Sequence, residues 1–218
     1  MIETIARGLK NKLKEVVFVG GSVMELYVDD PAVQKPRVTD DVDVVAEIIS
    51  RARYDEFEKE LRELGFINDT SGPACRLIFK GVKLDIITTG QSGSGFTNRW
   101  YETGFRKSIS VNAGISRIKI FPAEYFIASK FEAFKNRGKN DLLASHDLED
   151  IIYVFDGRSN IENEIVNSET DIRSYLNNEI KLLLKNPQIS EIINGHLGQN
   201  VFQERADRII KIFNNISI

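Results

Sequence analysis

Two carboxylates one residue apart on a short strand are the most chemically pointed feature of this chain. In Asp41-Val42-Asp43-Val44-Val45 the two-residue period of a strand sends Asp41 and Asp43 to one face and the valines to the other. Like charges held side by side repel, and a cation between them is the simplest account of their pairing. Upstream, Val16 to Val19 ends in Gly20-Gly21-Ser22, and an apolar-periodic stretch opening with Val23, Met24 and Leu26 follows. That order reads as strand, tight turn and helix. Glycines let backbone N–H groups approach an anion, a helix start favours negative charge, and Ser22 adds a hydroxyl donor. Each piece has an ordinary explanation: a capped turn for Gly-Gly-Ser, a solvated strand end for Asp-x-Asp. Their succession on consecutive strand–helix units favours a joint cation and phosphate site.

Gly20-Gly21-Ser22 followed by Asp41-x-Asp43 resembles the glycine-serine plus paired-aspartate signature of the nucleotidyltransferase superfamily. The flanking Arg37-x-Thr39 is similar to its AbiEii/AbiGii-type toxin branch. The stretch between Ser22 and Asp41 is longer than the family's usual spacing and holds Asp29-Asp30-Pro31 and Pro36, which reads as an extended loop at the mouth of the site. The resemblance implies transfer of a nucleoside monophosphate from a magnesium-bound nucleoside triphosphate to an acceptor hydroxyl. Carboxylate-held magnesium, one ion or two and replaceable by manganese, would neutralise phosphate charge and clamp the entering and leaving oxygens. Gly20, Gly21, Ser22, Arg37 and Thr39 would then face the nucleotide.

Further along, Cys75 to Lys80 and Val82 to Thr88 read as two strands joined tightly at Gly81. Asp85 stands in the second, where an unpaired buried carboxylate would be costly. Lys83 and Asp85 share one face opposite Leu84 and Ile86, so a strand with one wet side also explains it. By resemblance Asp85 matches the third catalytic carboxylate, as a metal ligand or as base for the acceptor hydroxyl. Thr89 to Gly95 is a glycine-serine loop without the Gly-Lys-Ser/Thr ending of a P-loop.

Pro122 changes the character of the chain. Strands and helices alternate before it and everything after it is helical in pattern, which places a boundary between a domain over 1–121 and one over 122–218. The first helix after it carries Phe126, Ile127, Phe131 and Phe134 on one stripe, with Lys130 at the stripe's edge. A lysine there snorkels or meets an anion. The stretch through Ala133, Arg137, Gly138, Asp147 and Asp150 resembles the lysine-to-aspartate motif by which AbiEii-like proteins close their active site, although His146-Asp147 stands where the family has an Arg-Asp pair. On that likeness Lys130 would neutralise triphosphate charge and Arg137, Asp147 and Asp150 would support it. Ser145 can cap the next helix, and Asp147 in its first turn suits the helix dipole.

The elements that must position these residues are an amphipathic N-terminal helix (Ile2, Ile5, Ala6, Leu9, Leu13), a helix from Ser50 to Leu64 stopped by Gly65, closing strands at 109–111 and 115–121, and C-terminal helices at 172–184 and 201–213. The helix at 50–64 suits a parallel crossover. Together they imply a mixed-sheet α/β (α+β) nucleotidyltransferase domain followed by a helical domain, with the site in the cleft between.

With 218 residues, 42% hydrophobic and 28% charged, the chain has the composition of an ordinary globular protein. A net charge of -3 gives no global reason to expect nucleic acid. Locally, Arg99, Arg106, Lys107, Arg117 and Lys119 face only Glu102, which is either a solvated strand surface or a phosphate- or RNA-facing patch. A single cysteine, Cys75, excludes an internal disulfide framework and fits a reducing cytoplasm. No signal-peptide core and no membrane-length apolar run is present, so a soluble chain is expected. Neither His146 nor His196 has zinc-like spacing. The expected partners are a nucleoside triphosphate, an acceptor that is RNA (tRNA in particular) or protein, and an antitoxin if the toxin likeness holds. The competing reading is a catalytically inactive nucleotide-binding or partner-binding scaffold of the same fold.

Overall fold

The computed structural model describes residues 1–90, 98–137, 141–198 and 203–217. The loop expected at Thr89 to Gly95, the Gly138 position and the start of the last expected helix lie wholly or partly outside the described residues. The chain divides into two compact units, Met1–Leu26 with Arg37–Pro122, and Tyr27–Pro36 with Ala123–Ile218. A single cut before Pro122 leaves Tyr27–Pro36 with the first unit, whereas its contacts put it with the second.

The first unit is built on a mixed sheet of seven strands among the described residues, ordered β3-β4-β5-β2-β1-β7-β6. These are β1 (Val16–Val19), β2 (Asp41–Ala46), β3 (Ile67–Asn68), β4 (Arg76–Phe79), β5 (Val82–Thr88), β6 (Ile109–Ala113) and β7 (Ser116–Ile120). Strand β1 is buried along its whole length, as its run of β-branched and aromatic residues requires of a central strand. It pairs antiparallel with β2 and parallel with β7, while β2 pairs parallel with β5.

Helix α1 (Ile2–Leu9) buries Ile5, Ala6 and Leu9 and passes into a 3₁₀ stretch at Lys10–Glu15, so the regular helix stops short of Leu13. Helix α2 (Arg51–Glu63) is capped by the Ser50 hydroxyl, which accepts from Arg53 N at 3.3 Å, and it buries Tyr54, Phe57 and Leu61. The crossover it begins is not direct. The chain first forms the two-residue edge strand β3 and then the β4–β5 hairpin, and only β5 lies parallel beside β2. The short helix α3 (Tyr101–Arg106) precedes the β6–β7 hairpin.

After β1 the chain forms a 3₁₀ helix, Gly21–Leu26, rather than an α-helix. Six residues carry the apolar positions Val23 and Met24 inward before the chain leaves for the second unit at Tyr27.

That second unit consists of α4 (Ala123–Arg137), α5 (His146–Gly157), α6 (Ile161–Val166), α7 (Thr170–Leu184), α8 (Ile189–Leu197) and α9 (Gln203–Ile216). Tyr27–Pro36 is bound to it closely. The Tyr27 ring lies 4.4 Å from that of Phe126, the Asp29 and Asp30 amides both donate to Gly157 O, and Arg158 donates to Tyr27 O at 2.9 Å. Asp30 pairs with Arg205 at 3.1 Å, and Arg205 also grips Asp156 at 2.7 Å. The insertion expected as an extended loop at the mouth of the site is a strap of the helical unit, held in part by Asp29 and Asp30.

The β4–β5 turn places two consecutive residues in the left-handed region, Lys80 at φ 49° and Gly81 at φ 81°. Such a turn matches strand twist but is strained for lysine. Lys80→Asn should raise stability by roughly 0.5–1 kcal/mol, read as an increase in the denaturant midpoint at unchanged m-value.

Candidate active site

Strand register turns residues scattered over the sequence into a row. Val19 is opposite Asp43, Asp43 is opposite Asp85, and Asp85 is opposite Arg76. Neighbours in register share a face of the sheet, so β1, β2, β5 and β4 present, in order, the end of the first strand, two carboxylates and a guanidinium. Asp41 stands two residues along β2 on the same face. All three expected carboxylates are thus brought together by β2 and β5.

Arg76 is the residue that sequence reasoning missed. Its Nε and Nη2 donate to Asp85 Oδ1 and Oδ2, both at 2.7 Å, and Nη2 also donates to Asp41 Oδ2 at 2.8 Å. The fork geometry of guanidinium on carboxylate is the strong form of such a pair. The Asp85 hydrogen bonds, with the charges of Asp85, Asp41 and Asp69, outweigh burial and hold the guanidinium above its ordinary value. The available signal was positional: in a tight hairpin turning at Lys80-Gly81, Arg76 and Asp85 are equidistant from the turn and must face one another.

The glycine turn fits closely against this row. Gly20 has φ 75°, and a Cβ there would stand 1.9 Å from Asp43 Oδ2, so the Asp43 carboxylate occupies space that any other residue would fill. A Cβ on Gly21 would stand 2.5 Å from Thr39 Cγ2 and 3.3 Å from Arg37 Nη2. Arg37 and Thr39 are thereby brought to the turn, and Thr39 Oγ1 donates to Asp41 O at 3.3 Å. The Ser22 hydroxyl is enclosed with no hydrogen-bond partner among the described residues.

Asp41 and Asp43 supply the hard oxygen donors that magnesium takes. The Gly20 cradle that receives Asp43 and the enclosed Ser22 hydroxyl beside it fit an ion with a phosphate ligand. Asp85 fits a shared ion less simply, because Arg76 engages both its oxygens. Among the described residues no group of three or more His, Cys, Asp or Glu side chains is disposed to hold a metal.

Lys130, Arg137, Asp147 and Asp150 form a cluster within the helical unit. Lys130 is only 7% exposed, with Nζ 2.6 Å from Asp150 Oδ2 and 3.4 Å from Asp147 Oδ1. Arg137 donates to both Asp147 oxygens, at 2.9 and 3.0 Å. The lysine at the stripe's edge thus meets anions instead of snorkelling. Ser145 caps α5 as expected, accepting from Leu148 N at 3.3 Å.

The positive stretch is spread out: Arg106 lies in α3 with Arg99 before it and Lys107 after it, and Arg117 and Lys119 stand on β7. Arg106 pairs with Glu102 and lies 3.8 Å from Glu47, and Lys119 donates to Lys14 O at 3.1 Å. Because Val16 is opposite Ala46, Glu47 and Lys14 flank the end of the β1–β2 pair remote from Gly20. At about 3.4 Å a residue, Glu47 is about 14 Å along the strand from Asp43.

No family model and no curated protein matches the chain. Among solved structures it is similar to an antigenic nucleotidyltransferase-like protein from Paracoccidioides brasiliensis, at 19% identity and TM-score 0.48 over 88% of this chain and 89% of that one. It is also similar to the antibiotic-resistance factor ANT(2'')-Ia. A solution structure of that factor gives 14% identity and TM-score 0.45 over 70% of this chain and 80% of that one. Its crystal structure with adenylyl-2''-tobramycin gives 14% and 0.46 over 80% and 91%. At TM-scores below 0.5 such likenesses do not decide a function.

Two outcomes are expected. Gly20→Ala should cost about 1–2 kcal/mol from left-handed backbone alone, plus the clash with Asp43. Adding Asp43→Ala should recover the clash component, so thermal unfolding of the two singles and the double would show coupling. For Asp147, burial pushes the carboxyl up, but the Arg137 hydrogen bonds and the Lys130 charge prevail and hold it below its ordinary value. A depressed carboxyl contributes stability above its unfolded value of about 4 and loses it as pH falls through the folded value. The melting-temperature deficit of Asp147→Asn should therefore be large at pH 7 and shrink as the pH falls from about 4 through the lowered folded value.

Proposed function

We propose that this chain is a nucleotidyltransferase, moving a nucleoside monophosphate from a nucleoside triphosphate to an acceptor hydroxyl. The observation that carries the reading is the row in which Asp43, seated on Gly20, stands in register with Asp85 while Asp41 shares their face. Ordinary sheets avoid like charges on directly opposed residues. Three carboxylates beside a glycine turn are what cation-assisted phosphate chemistry needs.

In this reading the N–H groups of Gly21 and Ser22 and the Arg37 guanidinium hold the triphosphate. A phosphate oxygen reaching the Ser22 hydroxyl would remove the roughly 1–3 kcal/mol cost of an enclosed, unpaired group. The 3₁₀ helix behind the turn is too short to add much dipole. Asp41 and Asp43 would hold magnesium, with Asp85 as a third ligand or as the base, and the ion when bound supplies charge neutralisation and Lewis acidity at the phosphates. As base, Asp85, held side-on by Arg76, keeps a second lone pair on each oxygen and can take the proton of the acceptor hydroxyl. The acceptor oxygen forms its bond to the α-phosphorus as the bond to the bridging oxygen breaks, and pyrophosphate leaves. Lys130, paired inside the helical unit, is accounted for as a brace of α4 on α5.

The narrower reading, a toxin of AbiEii type labelling RNA, a tRNA end or protein and countered by an antitoxin, is supported by the sequence resemblance alone. The positive stretch gives RNA little support where it stands. One observation favours the scaffold reading instead: Arg76 already pairs with both Asp85 and Asp41 and offsets part of their charge.

Incubation with each α-labelled triphosphate, magnesium, total RNA and cell protein distinguishes these. Label should enter one acceptor fraction and fall on the order of 100-fold or more in Asp43→Asn, with folding retained by circular dichroism. No label from any triphosphate, together with triphosphate binding that ignores magnesium, would establish the scaffold.

A further inference from the structure

Arg76 does more than pair. A single atom, Nη2, lies 2.8 Å from Asp41 Oδ2 and 2.7 Å from Asp85 Oδ2. An ion joining those two carboxylates needs the oxygens to which Nη2 donates, because magnesium takes carboxylate oxygens as ligands. The guanidinium and a bridging ion therefore compete for the same two acceptors. The Arg76 side chain is 17% exposed and that of Asp85 14%, so the pair is enclosed enough for its charges to interact strongly. Asp43, one strand from Asp85 and seated on Gly20, is not a partner of Arg76 in any of these three hydrogen bonds.

We propose that Arg76 is a positioning residue that acts as a tethered cation. It holds Asp41 and Asp85 together through its own side chain and must give up the Asp41–Asp85 bridge before a divalent ion can join the two carboxylates. The proposal rests on the assignment of these carboxylates as cation ligands. It makes Arg76 a determinant of cation affinity: the ion must outcompete a side chain that is always charged. In its absence the carboxylates repel more strongly, which favours the ion, although Lys83 stays in register with Asp41.

The test uses the full chain stripped with EDTA and titrated with Mn2+ alone, without nucleotide, followed by electron paramagnetic resonance and thermal unfolding. Arg76→Gln should bind Mn2+ on the order of tenfold more tightly than the wild type. It should melt lower in EDTA and gain more from Mn2+. Arg76→Lys, a cation without the fork, should fall between, and it carries the test if Arg76→Gln does not fold in EDTA. Adding Asp41→Asn should erase the gain. Equal affinity in variant and wild type, binding in neither, or a gain that survives Asp41→Asn overturns the proposal. A wild-type chain that transfers no nucleotide yet shows this Mn2+ pattern removes the transfer reading and leaves the tethered cation standing.

Discussion

Like-charge repulsion inside a sheet is the constraint around which the first unit is organised. Asp43 and Asp85 are directly opposed on parallel strands, in an arrangement that cross-strand energetics disfavour. The sheet meets this with a guanidinium on β4 that bridges Asp85 and Asp41 and with a glycine at the end of β1 that gives the Asp43 carboxylate room. Replacing either would expose the repulsion. Such an arrangement costs stability and is retained where charge is needed.

The helical unit solves a related problem by closure. Lys130, Asp147 and Asp150 bring charges into a region where isolated ions would be prohibitively expensive, and together with the exposed Arg137 they form a paired set across α4 and α5. Asp30, Asp156, Arg205 and Arg208 do the same where Tyr27–Pro36 meets α5 and α9. Both clusters pair charges across elements of the helical unit. The β2–β5 carboxylates differ from them, because they lie beside a glycine turn and an enclosed hydroxyl.

Much of this was legible in the chain itself. The two-residue period put Asp41 and Asp43 on one face, Gly81 announced the β4–β5 hairpin, Ser145 capped its helix, and Pro122 marked the passage to a helical pattern. These are local properties, set by backbone sterics and hydrogen bonds within a few residues. The α-helix expected after Ser22 became a 3₁₀ stretch, since short apolar spacing is shared by both and the tertiary path decides between them.

Long-range pairing decided the rest. Which strand lies beside β2, and in what register, depends on burial summed over the whole sheet, so no local pattern could set Asp85 opposite Asp43. Arg76 looked like an ordinary strand arginine because its meaning comes from Asp41, thirty-five positions away. Asp29 and Asp30 read as loop residues because their partners, Ser159 and Arg205, lie far along the chain. The sequence determined the kinds of element and the residues able to do chemistry; only the tertiary structure decided which charges share one field, because Coulomb energy depends on distance in space and not along the chain.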